Sequence, residues 1–114
     1  MDDKEILMKN KIKELRKGVL ELAVLKIVSE KERYGYDIIE VLKNASLTTS
    51  EGTIYPLLTR LKNEGLIFYK WEESDKGPPR KYYTISEKGA ELMKELLSEW
   101  NNINSGLKRI IGGN

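Results

Sequence analysis

Apolar residues Ile6, Leu7, Ile12 and Leu15 recur among many charges between Lys4 and Arg16, a narrow stripe that predicts an amphipathic helix. Gly18 then marks a predicted break. From Val19 to Val28 only Glu21 and Lys26 interrupt a run that is hydrophobic on nearly every side, so this segment belongs in the core. Lys31-Glu32-Arg33 reads as a polar turn, after which Tyr34-Gly35-Tyr36-Asp37 opens a helix carrying Ile38, Ile39, Val41 and Leu42. The connector from Asn44 to Ser50 is rich in Ser and Thr, and Ser50 is placed to cap the next helix. That helix starts at Glu51, repeats Ile54, Leu57, Leu58 and Leu61 at three- and four-residue spacing, and stops at Gly65. Pro56 sits inside it, with its ring facing the carbonyl of Gly52 about one turn in, where a tightened first turn is expected and no break.

Beyond Gly65 the period changes. Leu66 to Trp71 and Lys81 to Ile85 are aromatic and β-branched, and Ser74-Asp75-Lys76-Gly77-Pro78-Pro79 between them is turn chemistry, so the two runs predict a β-hairpin. Ser86 caps a last helix from Glu87 to about Ile111. At 1.5 Å per residue that helix is ~37 Å long, more than a compact core of this size needs. From Leu96 the series Leu96, Trp100, Ile103, Leu107 and Ile110 steps by four and three, a coiled-coil-like seam that a second copy of the chain would cover. The alternative is a helix folded back onto its own domain. Trp71 is expected to pack under the hairpin.

Three helices and a hairpin in this order predict a winged helix-turn-helix, which mostly presents its third helix to the major groove of DNA. The expected class is mainly α with a small β-hairpin (α+β), one domain over residues 1–114. Residues 18–86 form the winged helix-turn-helix, and residues 1–17 and 87–111 form the N-terminal and long C-terminal dimerisation helices. Composition narrows the function. Of 114 residues none is Cys or His, which removes disulfides, thiolate sites and the commonest general base and metal ligand. No catalytic residue, metal or cofactor is expected. The balance of 20 Lys+Arg against 18 Asp+Glu does not argue for a nucleic-acid partner, so affinity has to come from where the cations point. No apolar stretch is long enough to span a bilayer and no signal peptide opens the chain, which makes the cytoplasm the expected location.

Tyr34-Gly35-Tyr36-Asp37-Ile38, the run Glu51 to Leu61, Glu64-Gly65-Leu66-Ile67, Gly77-Pro78-Pro79-Arg80-Lys81-Tyr82-Tyr83 and Ser86-Glu87-Lys88-Gly89 stand in unbroken order. Together they closely resemble the PadR family of bacterial transcriptional regulators, over about Tyr34 to Gly89. The short chain with one C-terminal helix is similar to the smaller subgroup of that family. The resemblance implies a homodimeric repressor that binds a pseudo-palindromic double-stranded DNA operator, with the C-terminal and N-terminal helices in the dimer contact. It also implies a small planar aromatic or hydrophobic effector stacked near Trp100. The other reading of Trp100 is plain dimer core.

Within the Glu51–Gly65 helix, the N-terminal turns reach base edges in this architecture, which selects Thr53, Tyr55 and Pro56, with Thr59, Arg60 and Lys62 on the front and flanks. Ser50 offers a backbone N–H to a phosphate. Tyr36 places a phenol near a phosphate if Tyr34 turns inward. At the wing tip, Lys76, Arg80 and Lys81 suit phosphate or minor-groove contact. Each has a competing reading: Tyr55 packed between helix and wing, Arg60 paired with Glu64 at i+4, and the wing as a solvated charged hairpin. For the whole molecule the alternative is a winged-helix protein-interaction module without DNA binding.

Overall fold

One helix, α1 (Asp3–Glu30), takes up both N-terminal apolar segments in the computed structural model, which describes residues 1–47, 51–75 and 77–112. The expected break at Gly18 is not there. Glycine inside a helix costs only ~1 kcal/mol, and the helix beyond it buries Leu20, Val24, Leu25, Ile27 and Val28. That burial outweighs the cost. The Asp2 carboxylate caps the start, accepting the Glu5 N–H at 2.8 Å.

Arg33–Tyr34 form a two-residue strand, β1, in place of the expected end of a turn at Arg33 and opening of a helix at Tyr34. A strand so short leaves no periodicity to read. Helix α2 (Gly35–Asn44) follows, then α3 (Glu51–Asn63), which passes Pro56 without interruption. The Arg16 guanidinium of α1 donates to the carbonyls of Ser46 (3.3 Å) and Leu47, pinning the end of α2 from outside the connector. Residues 48–50, with the Ser50 cap, and Lys76 lie outside the described residues. Gly65 has φ of 76°, and the bonds Gly65 N–H to Lys62 O and Leu66 N–H to Leu61 O, each 3.0 Å, close a Schellman turn after α3.

The hairpin is β2 (Ile67–Glu72) and β3 (Arg80–Ile85), and β1 adds on the far side of β3 to give an antiparallel sheet of order β1-β3-β2. Register sets the faces. Ile67, Tyr69 and Trp71 oppose Ile85, Tyr83 and Lys81 on one face, while Phe68, Lys70 and Glu72 oppose Thr84, Tyr82 and Arg80 on the other. The first face meets the helices, whose Val24, Leu25, Ile38, Ile39, Ile54, Leu58 and Leu61 are almost fully buried with Ile67.

Helix α4 (Glu87–Ile111) starts at a tight joint. The Ser86 hydroxyl accepts the Gly89 N–H at 2.9 Å and lies 2.7 and 3.0 Å from the carbonyls of Gly65 and Leu66, to which it donates. The α3–β2 corner and the first turn of α4 are thereby one unit, which fixes the direction in which α4 leaves. Leu92, Met93 and Leu96 pack on the core, and the helix then runs on. The radius of gyration is 16.4 Å, against about 13 Å for a compact chain of this length. The excess is the projecting parts of α1 and α4.

Candidate nucleic-acid interface

With Ile54, Leu57, Leu58 and Leu61 turned inward, α3 leaves Gly52, Thr53, Tyr55, Pro56, Thr59 and Lys62 exposed and Arg60 half-exposed. Helical spacing sorts these into two edges. Tyr55, Thr59 and Lys62 lie toward the wing, and the Thr59 hydroxyl donates to the Tyr55 carbonyl at 3.1 Å, so it is not free in this state. Thr53, Pro56 and Arg60 border a groove of about 640 Å³ against α1, whose opposite wall carries Lys13 and Lys17. Lys62 on one edge and Arg60, Lys13 and Lys17 on the other give α3 cations on both flanks, with Glu14 and Glu21 of α1 beside the second.

Arg60 does not pair with Glu64. Its guanidinium stands 3.0 Å from the carboxylate of Glu21 on α1, with the two side chains 40% and 28% exposed. An ion pair this open is worth at most about 1 kcal/mol, so a phosphate or a guanine edge can compete for the arginine. Glu21 was missed from sequence because the contact joins positions far apart in the chain.

Tyr55 reaches toward both environments at once. It is 44% exposed, yet a Cβ on Gly35 would lie 3.1 Å from its ring, so the glycine at the start of α2 makes room for it. Tyr34, Tyr36, Tyr55, Tyr83, Arg80 and Lys81 line a second groove of about 490 Å³ between α3 and the wing. Burial, with the neighbouring Tyr55 and Tyr69 phenols, pushes the Tyr83 phenol above its ordinary value. Tyr36 is 57% exposed, while Tyr34 meets Tyr82 edge-on at 4.5 Å, so the two tyrosines divide between surface and sheet.

On the wing the cations are held by rings. Arg80 lies over Tyr34 at 5.4 Å, and Lys81 lies 4.5 Å from the Tyr69 centroid and 5.5 Å from that of Trp71. Lys62 of α3 approaches the same Tyr69 ring at 5.8 Å. Lys70 is engaged on the outer face: Glu72 at 3.4 Å, bonded to its ammonium, and Glu32 at 3.7 Å both raise its pKa. Trp71 is 62% exposed and does not pack under the hairpin, because the strand has by then passed beyond the reach of the helical core.

The expected seam of α4 lies open in the single chain. Leu96 is half-buried against the core, whereas Trp100, Ile103, Leu107 and Ile110 are 40%, 53%, 50% and 83% exposed. Ile6, Leu7, Met8, Ile12 and Leu15 are exposed on the projecting part of α1. Trp100 sides with Leu97 against Val19, Leu22, Ala23 and Lys26 of α1 around a shallow apolar groove of about 260 Å³. Among the described residues no helix is long and apolar enough to cross a membrane.

Residues 24–95 match the pattern of the transcriptional regulator PadR-like family. A PadR-like transcription factor from Bacteroides fragilis is 44% identical, with a TM-score of 0.76 over 89% of this chain and 98% of that one. Bacillus subtilis PadR, solved in complex with operator DNA, is 28% identical with a TM-score of 0.64, over 69% of this chain and 45% of that one. The transcriptional regulator YqjI of Escherichia coli K12 is 32% identical over 99 residues; the alignment takes in 83% of this chain and only 46% of YqjI, about half its length.

Proposed function

This chain belongs to the PadR-like family of transcriptional regulators, and on that premise we propose that it is a homodimeric, sequence-specific DNA-binding repressor. One observation carries the reading. The exposed residues of α3 and the ring-held cations of the wing share one continuous face, from Arg60 and Thr53 through Pro56 to Tyr55, Lys62 and Lys81. Bacillus subtilis PadR, a relative of the same fold, engages operator DNA, which supports the same partner here.

In this reading Thr53, Tyr55 and Pro56 read base edges at the front of α3, and Arg60 leaves Glu21 for a guanine edge or a phosphate. Tyr36, Thr59, Lys62, Arg80 and Lys81 hold the backbone, joined by Ser50 and Lys76. Two copies related by a two-fold axis double every contact, which compensates for the low net charge of +2. The test is retardation of a duplex selected from a random pool, followed over a salt series. Arg60→Ala is expected to weaken the selected duplex by about 1–3 kcal/mol while sparing mixed-sequence DNA. Lys81→Ala is expected to weaken every duplex alike and to make the salt slope shallower by about one contact. Undiminished binding by Arg60→Ala would return that residue to its pair with Glu21.

Repression is relieved, in the same proposal, by a small planar hydrophobic effector at Trp100. Support comes from the apolar groove that the indole forms with Leu22, Ala23 and Leu97. Leu22 is next in the chain to Glu21, the partner of Arg60, so α1 is the element that would join a molecule wedged there to the reading helix. Planar polyaromatic dyes are expected to quench Trp100, read in Trp71→Phe protein, and to loosen operator binding. Saturating operator must then weaken the dye by the same factor. Dye affinity indifferent to operator leaves Trp100 as dimer core.

A further inference from the structure

Trp71 stands outside the buried core. It shares a face of β2 with Ile67 and Tyr69, which descend toward the core, but its own indole stays 62% exposed. The surrounding side chains brace the ring without covering it. Tyr69 meets it edge-on, with centroids 6.1 Å apart and planes at 88°. Lys81, its register partner on β3, sets its ammonium between the two rings, and Lys62 of α3 reaches the inner one. The result is a strip of alternating cations and aromatic faces running from α3 toward the hairpin tip. Glu72, the adjacent carboxylate, belongs to the opposite face and is tied to Lys70.

We propose that Trp71 is a sequence-neutral DNA contact, its indole packed against the deoxyribose of the strand whose phosphate Lys81 holds. The inference rests on the DNA-binding reading above. Its chemistry is specific to a polyanion with apolar sugars: the ammonium takes the phosphate, and the flat ring takes the adjacent sugar. A ring braced in advance loses little rotamer freedom on binding, so more of the contact survives as affinity.

An uncharged contact leaves a different signature from a lysine. Trp71→Ala is expected to weaken mixed-sequence and selected duplexes equally, by about tenfold, through the apolar area lost, with the salt slope unchanged. Fluorotryptophan-labelled protein supplies a second readout, because the chain holds 2 Trp and Trp71→Phe assigns their fluorine resonances. Adding a mixed-sequence duplex at about 50 mM salt is expected to remove the solvent isotope shift of the Trp71 resonance and to spare that of Trp100. A complex that forms with Trp71 still wet overturns the inference and leaves the DNA reading standing. Failure of the parent to bind any duplex at low salt overturns both. Slower sedimentation of Trp71→Ala than of the parent assigns the ring to a subunit contact and overturns the inference as well.

Discussion

Gly89→Ala is expected to cost this protein about 3 kcal/mol or more of stability. A Cβ at Gly89 would stand 2.0 Å from the Leu66 carbonyl oxygen and 2.9 Å from both the Leu66 carbonyl carbon and Ile85 Cγ1. Two of those atoms are backbone, so no side-chain rotation relieves the contact. The carbonyl cannot retreat cheaply either, since it accepts the Ser86 N–H at 3.1 Å and lies 3.0 Å from the Ser86 hydroxyl. Helix propensity alone would favour alanine by ~1 kcal/mol, and the clash decides against it. Domains of this size hold about 5–15 kcal/mol in total, so the thermal midpoint should fall by more than about 10 °C. Gly18→Ala is the matched control, as nothing lies within 4 Å of its Cβ position in α1, and there the propensity gain should appear. Urea titration of both variants checks the pair. A Gly89→Ala protein as stable as its parent would mean that α4 does not dock on the α3–β2 corner.

That joint also explains which parts of the molecule were legible in the sequence. Gly65 and Ser86 are local signals, a helix stop and a cap, and they placed the C-terminal end of α3 and the start of α4 where the structure has them. The inward positions of α3 followed from spacing alone. Gly18 misled because a local cost was weighed without the burial beyond it. The β1 strand was invisible because two residues have no period; it exists through its pairing with Tyr82 and Tyr83. In the candidate interface the residue types were readable and their partners were not. Glu21 beside Arg60, and Lys81 among Tyr69 and Trp71, are contacts between distant positions that no local pattern encodes. Trp71 was assigned to the underside of the hairpin by its chemistry, whereas its exposure follows from where the strand outruns the core.

Ile103→Lys combined with Leu107→Lys is expected to convert a dimer into a monomer and to lower operator affinity by about 10²–10⁴. The two side chains are 53% and 50% exposed in the single chain, so neither holds the monomer core together. In a two-fold contact every substitution occurs twice, and each Leu or Ile side chain fully buried there is worth about 1.5–3 kcal/mol. Replacing four such groups by ammonium ions removes that gain and sets like charges beside one another. The DNA consequence follows from linkage. In the proposed dimer two copies of α3 reach half-sites one or two helical turns of about 34 Å each apart, so the second half-site binds as an intramolecular event. Separate subunits must bind each half-site independently. The thermal midpoint of the variant's helical signal should be compared with the parent's at the lowest measurable concentration, where the parent too is dissociated. Sedimentation decides the rest. A parent that runs at the 13.2 kDa monomer mass at micromolar concentration, or a variant that remains dimeric, would remove the α4 seam as the subunit contact. The exposed apolar side chains of α1 from Ile6 to Leu15 would then be the next surface to test.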